Sequence, residues 1–522
     1  MYLQMFMFLG TIIYLGYLYV TRKFNYWNAR GIKGPKPLPI VGNFGSVVLV
    51  KKTASMLLKE IYSQFPDEKV VGIYRGSKPA LLIRDPELVK QVLIKDFNIF
   101  QDRGLKSSER RFSENLFAAE GETWKILRQK LTPMFTSGKL KNMMPLLQKC
   151  VDEYVAYINK LVDSDTNHEI RSLKAKFTLE VIGSCAFGLN LGAISDDENE
   201  FGKIAKKIFT PTPKARCLMA LDILLPGLRK AFPNITNTGA VLEDFFVNLV
   251  KQIISERNGK PSLRKDFMDL MIELREQGKI SRRKENGQSE IEIDDELIAA
   301  QALIFYAAGF ETSSATMSFL VHELALHQDI QERAYQEVNK VYEKYEGKLS
   351  YEALSEMTYL EMVFDATLRK YPVASALVRK ALANYTFPNT DISVEKGAFL
   401  FVSVYGLHHD PKYFDNPEEF NPEIFAPEAK KNILPYVYLP FGDGPRNCIV
   451  PAELFHTNFA TPFHPLRVVN LNFQKSFFIG CLLPTSYKEH TLQVSGLYDQ
   501  RFRLCVDPSV IQDKAFYLHR YR

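Results

Sequence analysis

The residues of this chain best suited to chemistry gather around one cysteine. Cys448 stands near the end of Pro440-Phe441-Gly442-Asp443-Gly444-Pro445-Arg446-Asn447-Cys448-Ile449, a glycine-rich run that delivers a thiol just beyond a cationic residue. Turns of this kind aim backbone N–H groups at the sulfur, which lowers the basicity of a thiolate and tunes a metal behind it. A lone buried cysteine is usually a small hydrophobe. The full ten-residue pattern argues instead for a metal ligand.

A second group lies about 140 residues earlier, in Ala308-Gly309-Phe310-Glu311-Thr312. It sets a helix-weakening glycine, a carboxylate and a hydroxyl in a stretch where polar groups are costly to bury. Gly309 would let a flat ligand or dioxygen approach the backbone, and Thr312 and Glu311 could relay protons to it. Taken alone, the pentad fits equally well a threonine bonded back to the preceding turn, with Glu311 at a surface.

The elements that must position these groups are mainly helical. Asp295 to His327 is apolar on nearly every side, which predicts a helix in the middle of a large domain, and Asp294, Asp295 and Glu296 suit the positive end of its dipole. Strand-like runs at Val70 to Tyr74 and Ala80 to Ile83 precede helical periodicity from Pro86 to Glu361. The charged stretch Lys279 to Glu292 reads as a surface loop. The fold class is therefore mainly α with a small β portion, an α+β arrangement.

Four segments are expected. Residues 1–20 form an uncharged apolar run long enough to cross a bilayer, followed by Arg22, Lys23, Arg30, Lys33 and Lys36, so a membrane anchor with a cytosolic body is predicted. Residues 21–43 are a basic hinge in which Pro35, Pro37 and Pro39 exclude helix and central strand. Residues 44–449 form the main domain, and 450–522 an atypical tail. The net charge of +6 is dispersed, without the polybasic tract of a nucleic-acid binder, and suits an acidic protein partner or anionic lipid. Six scattered cysteines offer no C-x-x-C pair, no zinc spacing and no disulfide framework.

On Phe441, Gly444, Arg446 and Cys448 the chain resembles the cytochrome P-450 family, whose signature is Phe-x-x-Gly-x-Arg-x-Cys. The resemblance implies a haem-thiolate monooxygenase with iron protoporphyrin IX as cofactor and Cys448 as proximal iron ligand. It implies that Trp124 and Arg128, in Trp124-Lys125-Ile126-Leu127-Arg128, hold a haem propionate, with Arg379 and Arg446 as further propionate partners. It also places Glu311 and Thr312 at the oxygen-activating groove. Phe117, Phe305, Ala308 and Val373 to Leu377 become substrate-lining candidates.

The hinge, Phe97 to Arg103 and Leu407-His408-His409-Asp410-Pro411 look most like insect microsomal members. For that group the resemblance implies electrons from an NADPH-dependent flavoprotein reductase, cytochrome b5 as a further partner, and lipophilic substrates such as xenobiotics, hormones or pheromones. It implies an endoplasmic reticulum location with the body on the cytosolic face, and no nucleic-acid partner.

Three positions depart from the family pattern. The glutamate of Glu-x-x-Arg is Ala366, which strips Arg369 of its helix partner, and Asp365 points about 100° away round the helix. The Pro-Glu-Arg-Phe segment reads Pro422-Glu423-Ile424-Phe425, and the glycine after Ile449 is Val450. An unpartnered buried guanidinium costs on the order of 3–5 kcal/mol, so Arg369 is expected to find another carboxylate or water. These departures leave a second reading, a membrane protein that keeps the fold but holds haem poorly or not at all.

Overall fold

A computed structural model describes residues 2–450 apart from 107–109, 164–168, 196–198, 211–216, 219–239, 285–286 and 349. Cys481, Cys505 and the tail beyond Val450 lie outside the described residues.

Helix α1 (Tyr2–Thr21) buries none of its side chains and is long and apolar enough to cross a membrane, so it is not a core helix of the body. After the proline-rich stretch comes α2 (Ala54–Gln64), capped by Thr53, which accepts from the Met56 amide at 3.2 Å. Strands β1 (Val70–Arg75) and β2 (Lys78–Ile83) follow as an antiparallel pair, nearly continuous apolar runs buried on both faces.

The helical body contains α3 (Gly121–Leu131), α4 (Ser137–Asp163), α5 (Ile170–Ile182) and α6 (Ala240–Glu256); α5 and α6 pack against α7 (Asp295–Leu326), and α4 packs against α5. Asp294 caps α7 by accepting from the Leu297 amide at 2.7 Å, and Asp295 and Glu296 occupy the first turn, where carboxylates complement the helix dipole. The first half of α7 feeds one hydrophobic cluster through Ile298, Phe305, Tyr306 and Phe310. Its second half feeds another through Met317, Leu320 and Leu324. A helix shared by two clusters needs apolar residues all round.

The stretch 279–292 is not a loop. It forms an antiparallel hairpin, β3 (Lys279–Lys284) with β4 (Gly287–Glu292), in which Ile280 lies opposite Ile291. Ile280 is buried and Ile291 packs against the same cluster, so two isoleucines on one face suffice to dock an otherwise charged ribbon. Helical periodicity was the wrong test for a segment with alternate residues on opposite faces.

Helix α8 (Gln328–Lys344) and helix α9 (Thr358–Lys370) lead into β5 (Leu377–Lys380), a short pair β6 (Tyr385–Thr386) and β7 (Ser393–Val394), and β8 (Phe399–Val402). The main sheet has the order β1-β2-β8-β5: β8 runs parallel to β2 and antiparallel to β5, with Leu377 opposite Val402. Helix α10 (Val404–His408) is buried throughout and joins this sheet to the segment that ends in Cys448.

Candidate functional site

The loop carrying Cys448 is a set of interlocked turns. The Gly442 amide donates to Leu439 O at 3.1 Å, the Asn447 amide to Gly444 O at 3.0 Å and the Cys448 amide to Phe441 O at 2.9 Å. Gly444 has φ +72°, and a Cβ there would lie 2.0 Å from the Leu93 carbonyl oxygen, so neither backbone conformation nor space admits a side chain. Cys448 faces a cavity of about 560 Å³. Burial pushes its thiol up; the Val450 amide and the guanidiniums of Arg128 and Arg103 pull it back toward the thiolate.

One side of that cavity is lined by four arginines from distant parts of the chain. Arg128, on α3, donates to Asn447 O at 2.8 Å and to Asn447 Oδ1 at 2.7 Å, tying α3 to the residue before Cys448. Arg446 lies over the face of Trp124, with Cζ 4.2 Å from the ring centroid, and donates to Ala119 O at 2.6 Å. Arg379, on β5, is buried and donates to the neighbouring Val378 O. Arg103 donates to Phe117 O at 2.9 Å and to Arg446 O at 3.1 Å.

These cations are crowded. Burial pulls Arg379 down to about 10 and Arg446 down to about 9. Arg103 falls well below its ordinary value through burial and the positive charges of Arg379, Arg446 and Arg128. Among the described residues the one carboxylate within ion-pair reach of the four is Asp102, 3.6 Å from Arg446. The Nε atoms of Arg379 and Arg446 are buried without a hydrogen-bond partner. Such a cluster calls for an anion, because uncompensated buried charge is expensive.

Elsewhere the cavity wall is mostly apolar. Leu116, Met134, Phe135, Phe305 and Ala308 line it, together with 373–377 and Phe117. Phe305 stacks on Phe135 at 5.6 Å and meets Phe267 at 4.6 Å. The buried side chain of Gln301 pins the neighbouring loop, accepting from the Leu116 amide at 2.8 Å and donating to Glu114 O at 3.0 Å.

Of the residues singled out in the sequence, Cys448, Trp124, Arg128, Arg379, Arg446, Phe441 and Thr312 line this one cavity, and Gly444 shapes the loop from behind. Thr312 donates from Oγ1 to Ala308 O at 2.5 Å, the back-bonded geometry. Glu311 does not line the cavity; Arg171 of α5 binds its carboxylate. Burial raises the Glu311 carboxyl, and Arg171 opposes that rise. Gly309 does line the cavity, but a Cβ there would meet Ile182 Cδ1 at 2.7 Å, so the close approach that its size permits is that of α5.

Arg103 and Gln301 escaped the sequence reading. Arg103 reaches the cluster because the Lys380 amide donates to Asp102 O at 2.8 Å, an isolated bridge that sets residue 103 beside Arg379. Its one sequence signal is membership of the Phe97–Arg103 stretch.

Arg369 finds neither a carboxylate nor an open surface. Among the described residues its guanidinium donates to three main-chain carbonyls: His408 at 3.1 Å, Pro417 at 2.7 Å and Glu419 at 2.7 Å. The segment after α10 wraps the end of α9 closely enough to supply oxygen acceptors where Ala366 supplies none. Only Nε is left without a partner. The full cost of a stripped guanidinium therefore does not fall on this site. Asp365 binds Lys430 at 2.7 Å and Tyr438, and Ile424 packs beside Phe420 and Phe425.

A thiol at the end of a turn-rich loop, an apolar cleft and a cationic rim in need of an anion together suit haem, a flat apolar macrocycle bearing two carboxylates. A family model described as Cytochrome P450 matches residues 32–449. Cytochrome P450 6B1 of Papilio polyxenes is 45% identical over 436 residues, 83% of this chain and 86% of its own length. Cytochrome P450 6B2 of Helicoverpa armigera is 43% identical over 442 residues, covering 84% and 87%. Cytochrome P450 6k1 of Blattella germanica is 38% identical over 456 residues, covering 84% and 86%. With the signature residues converging on one cavity, this chain belongs to the cytochrome P450 family of haem monooxygenases.

Proposed function

We propose that this protein is an insect-type microsomal monooxygenase that oxidises lipophilic compounds (xenobiotics, hormones or pheromones) with dioxygen and electrons passed from NADPH through a flavoprotein reductase, with cytochrome b5 as a second donor. The observation that carries this reading is the pairing, in one apolar cavity, of Cys448 with four arginines short of counter-charge.

In this proposal Cys448 would hold the haem iron as its thiolate ligand, and the Val450 amide with Arg128 and Arg103 stabilises its negative charge. Trp124, Arg128, Arg379 and Arg446, joined by Arg103, hold the propionates. Bound haem supplies the redox centre that activates dioxygen, its thiolate favouring O–O cleavage. The apolar wall around Phe117, Phe305, Ala308 and 373–377 binds the substrate and excludes water. Thr312, freed from Ala308 O by rotation about χ1, presents a hydroxyl proton to the cavity. Glu311, once its pair with Arg171 loosens, takes up a proton from solvent and passes it on to Thr312.

Helix α1 and the basic segment after it anchor the body to the cytosolic face of the endoplasmic reticulum. The first acidic side chain of the whole sequence is Glu60, while lysines and arginines recur from Arg22 to Lys59, a distribution suited to an anionic membrane surface.

The test is the reduced carbon-monoxide difference spectrum of membranes carrying the full chain, beside Cys448→Ser and beside a chain with a family-like end after Ile449. A thiolate-type Soret band from the full chain, absent in Cys448→Ser, is expected. Its absence from the full chain with recovery in the altered one would favour the haem-deficient reading.

A further inference from the structure

His408 is fully buried at the end of α10, and its ring lies between two groups whose chemistry settles its own. Nδ1 is 3.1 Å from the carbonyl oxygen of Arg369, which can only accept a hydrogen bond. Nε2 is 2.8 Å from the amide of Leu439, which can only donate one. The imidazole is therefore neutral, with its proton on Nδ1. It joins the last turn of α9 to the segment nine residues before Cys448, and its ring stacks on Tyr438 at 5.2 Å.

Leu439 is where the interlocked turns of the thiol loop begin: its carbonyl accepts from Gly442, and Phe441 O accepts from Cys448. Arg369 is itself held to His408, its guanidinium donating to His408 O. With alanine at 366, the connection between α9 and the cysteine loop runs through these main-chain and imidazole bonds and through the Tyr438 hydroxyl, which donates to Asp365 at 3.0 Å. We propose that His408 is a positioning residue for Cys448, its imidazole fixing Leu439 against the end of α9 and so setting where the thiol stands in the cavity.

The next residue provides an internal contrast. His409 is buried too, but its Nδ1 bonds only to Tyr405 O, 3.0 Å away one turn back in the same helix. Burial pushes both rings far below the ordinary histidine value, so both are neutral. Of the two, His408 reaches the cysteine loop. Packing alone would not require a ring with one donor and one acceptor aimed at two separate segments.

The inference rests on Cys448 as the iron ligand only for its haem readout, so the test has two arms on the full-length protein. Variants are His408→Leu, His408→Gln, whose amide can both accept from Leu439 and donate to Arg369, and His409→Leu. In protein stripped of haem, peptide-resolved hydrogen exchange over 437–448 is expected to quicken by about ten-fold or more in His408→Leu. It should stay within about three-fold of the parent in His408→Gln and His409→Leu. In haem-loaded protein the share with a thiolate-type carbon-monoxide spectrum should follow the same ranking. Unchanged exchange in His408→Leu, failure of glutamine to rescue, or an equal effect from His409→Leu would each overturn the proposal. A parent chain without any thiolate spectrum would sink the assignment of Cys448 instead, and the exchange arm would still decide the role of His408.

Discussion

The guanidinium of Arg446 lies flat enough over Trp124 to place its Cζ 4.2 Å from the ring centroid, yet its Nε, buried, has no hydrogen-bond partner. The aromatic face takes up part of the charge, the Ala119 and Phe117 carbonyls take the terminal nitrogens, and Nε is left free. The Nε of Arg379 is likewise buried without a partner; burial is the first cause that lowers Arg446, and the charge of Arg379 adds to it. The cluster is thus arranged for something other than the stability of the protein alone, a trade common at functional sites.

Replacing Arg379 with leucine should separate the two roles. Haem-free protein carrying Arg379→Leu is expected to gain about 1–3 kcal/mol of stability, because a desolvated charge is removed. Its haem affinity should fall about 10- to 100-fold, the worth of a charge-assisted hydrogen bond. Thermal melting and haem titration on the same preparations check both. A loss of stability together with unchanged affinity would show that Arg379 serves packing only.

Ala366→Glu adds a carboxylate one helical turn before Arg369, whose Nε is its one orphaned donor. Ala366 is completely buried, so overpacking opposes the gain at about 1–3 kcal/mol. A carboxylate that reaches Nε outweighs it, since hydrogen bonds to charged groups contribute about 1.5–3 kcal/mol and the charge itself is neutralised. The haem-loaded fraction of expressed protein is expected to rise. An unchanged fraction would mean that the three carbonyls already satisfy Arg369.

Acid should weaken the body through its buried histidines. His408 is pushed down to about 3 and His409 to about 2, both chiefly by burial. Above the unfolded value near 6.5 both rings are neutral in either state. Below it the unfolded chain takes up protons that the folded chain refuses, so stability is lost as pH falls from about 6.5 toward 3. Each histidine removes about 2 kcal/mol between pH 7 and pH 5. Urea titrations at the two pH values should show the loss, and His409→Leu should show about 2 kcal/mol less of it.

Lys174 on α5 is fully buried, over the Tyr154 ring at 5.2 Å, and burial drives it down to about 7. Its unfolded value is near 10.5, so the unfolded state binds more protons between about pH 7 and 10.5, and stability rises with pH across that window. Lys174→Met should stabilise the protein by a few kcal/mol at pH 7 or below, a gain that vanishes above about pH 10.5. A gain independent of pH would point to better packing instead of relief of desolvation.

The cysteine loop was legible because its residues are close in sequence. The run from Phe441 to Cys448 is a local turn structure, and Gly444 is required by a φ of +72° and by the Leu93 carbonyl behind it. The apolar helix 295–326 was equally clear, since a helix that serves two hydrophobic clusters must be apolar all round. The hairpin at 279–292 was missed because two facing isoleucines dock it, too few to stand out among charges.

By itself the sequence determined the family, the thiol and most of the cationic residues, because those depend on residue type and short spacing. Tertiary structure decided which side chains share the cavity. Arg103 joins through one backbone bridge, Glu311 turns away to Arg171, and Arg369 is satisfied by carbonyls 39 to 50 residues further on. Main-chain acceptors have no signature in side-chain identity: every residue carries a carbonyl, and only folding brings a particular one within reach of a buried donor.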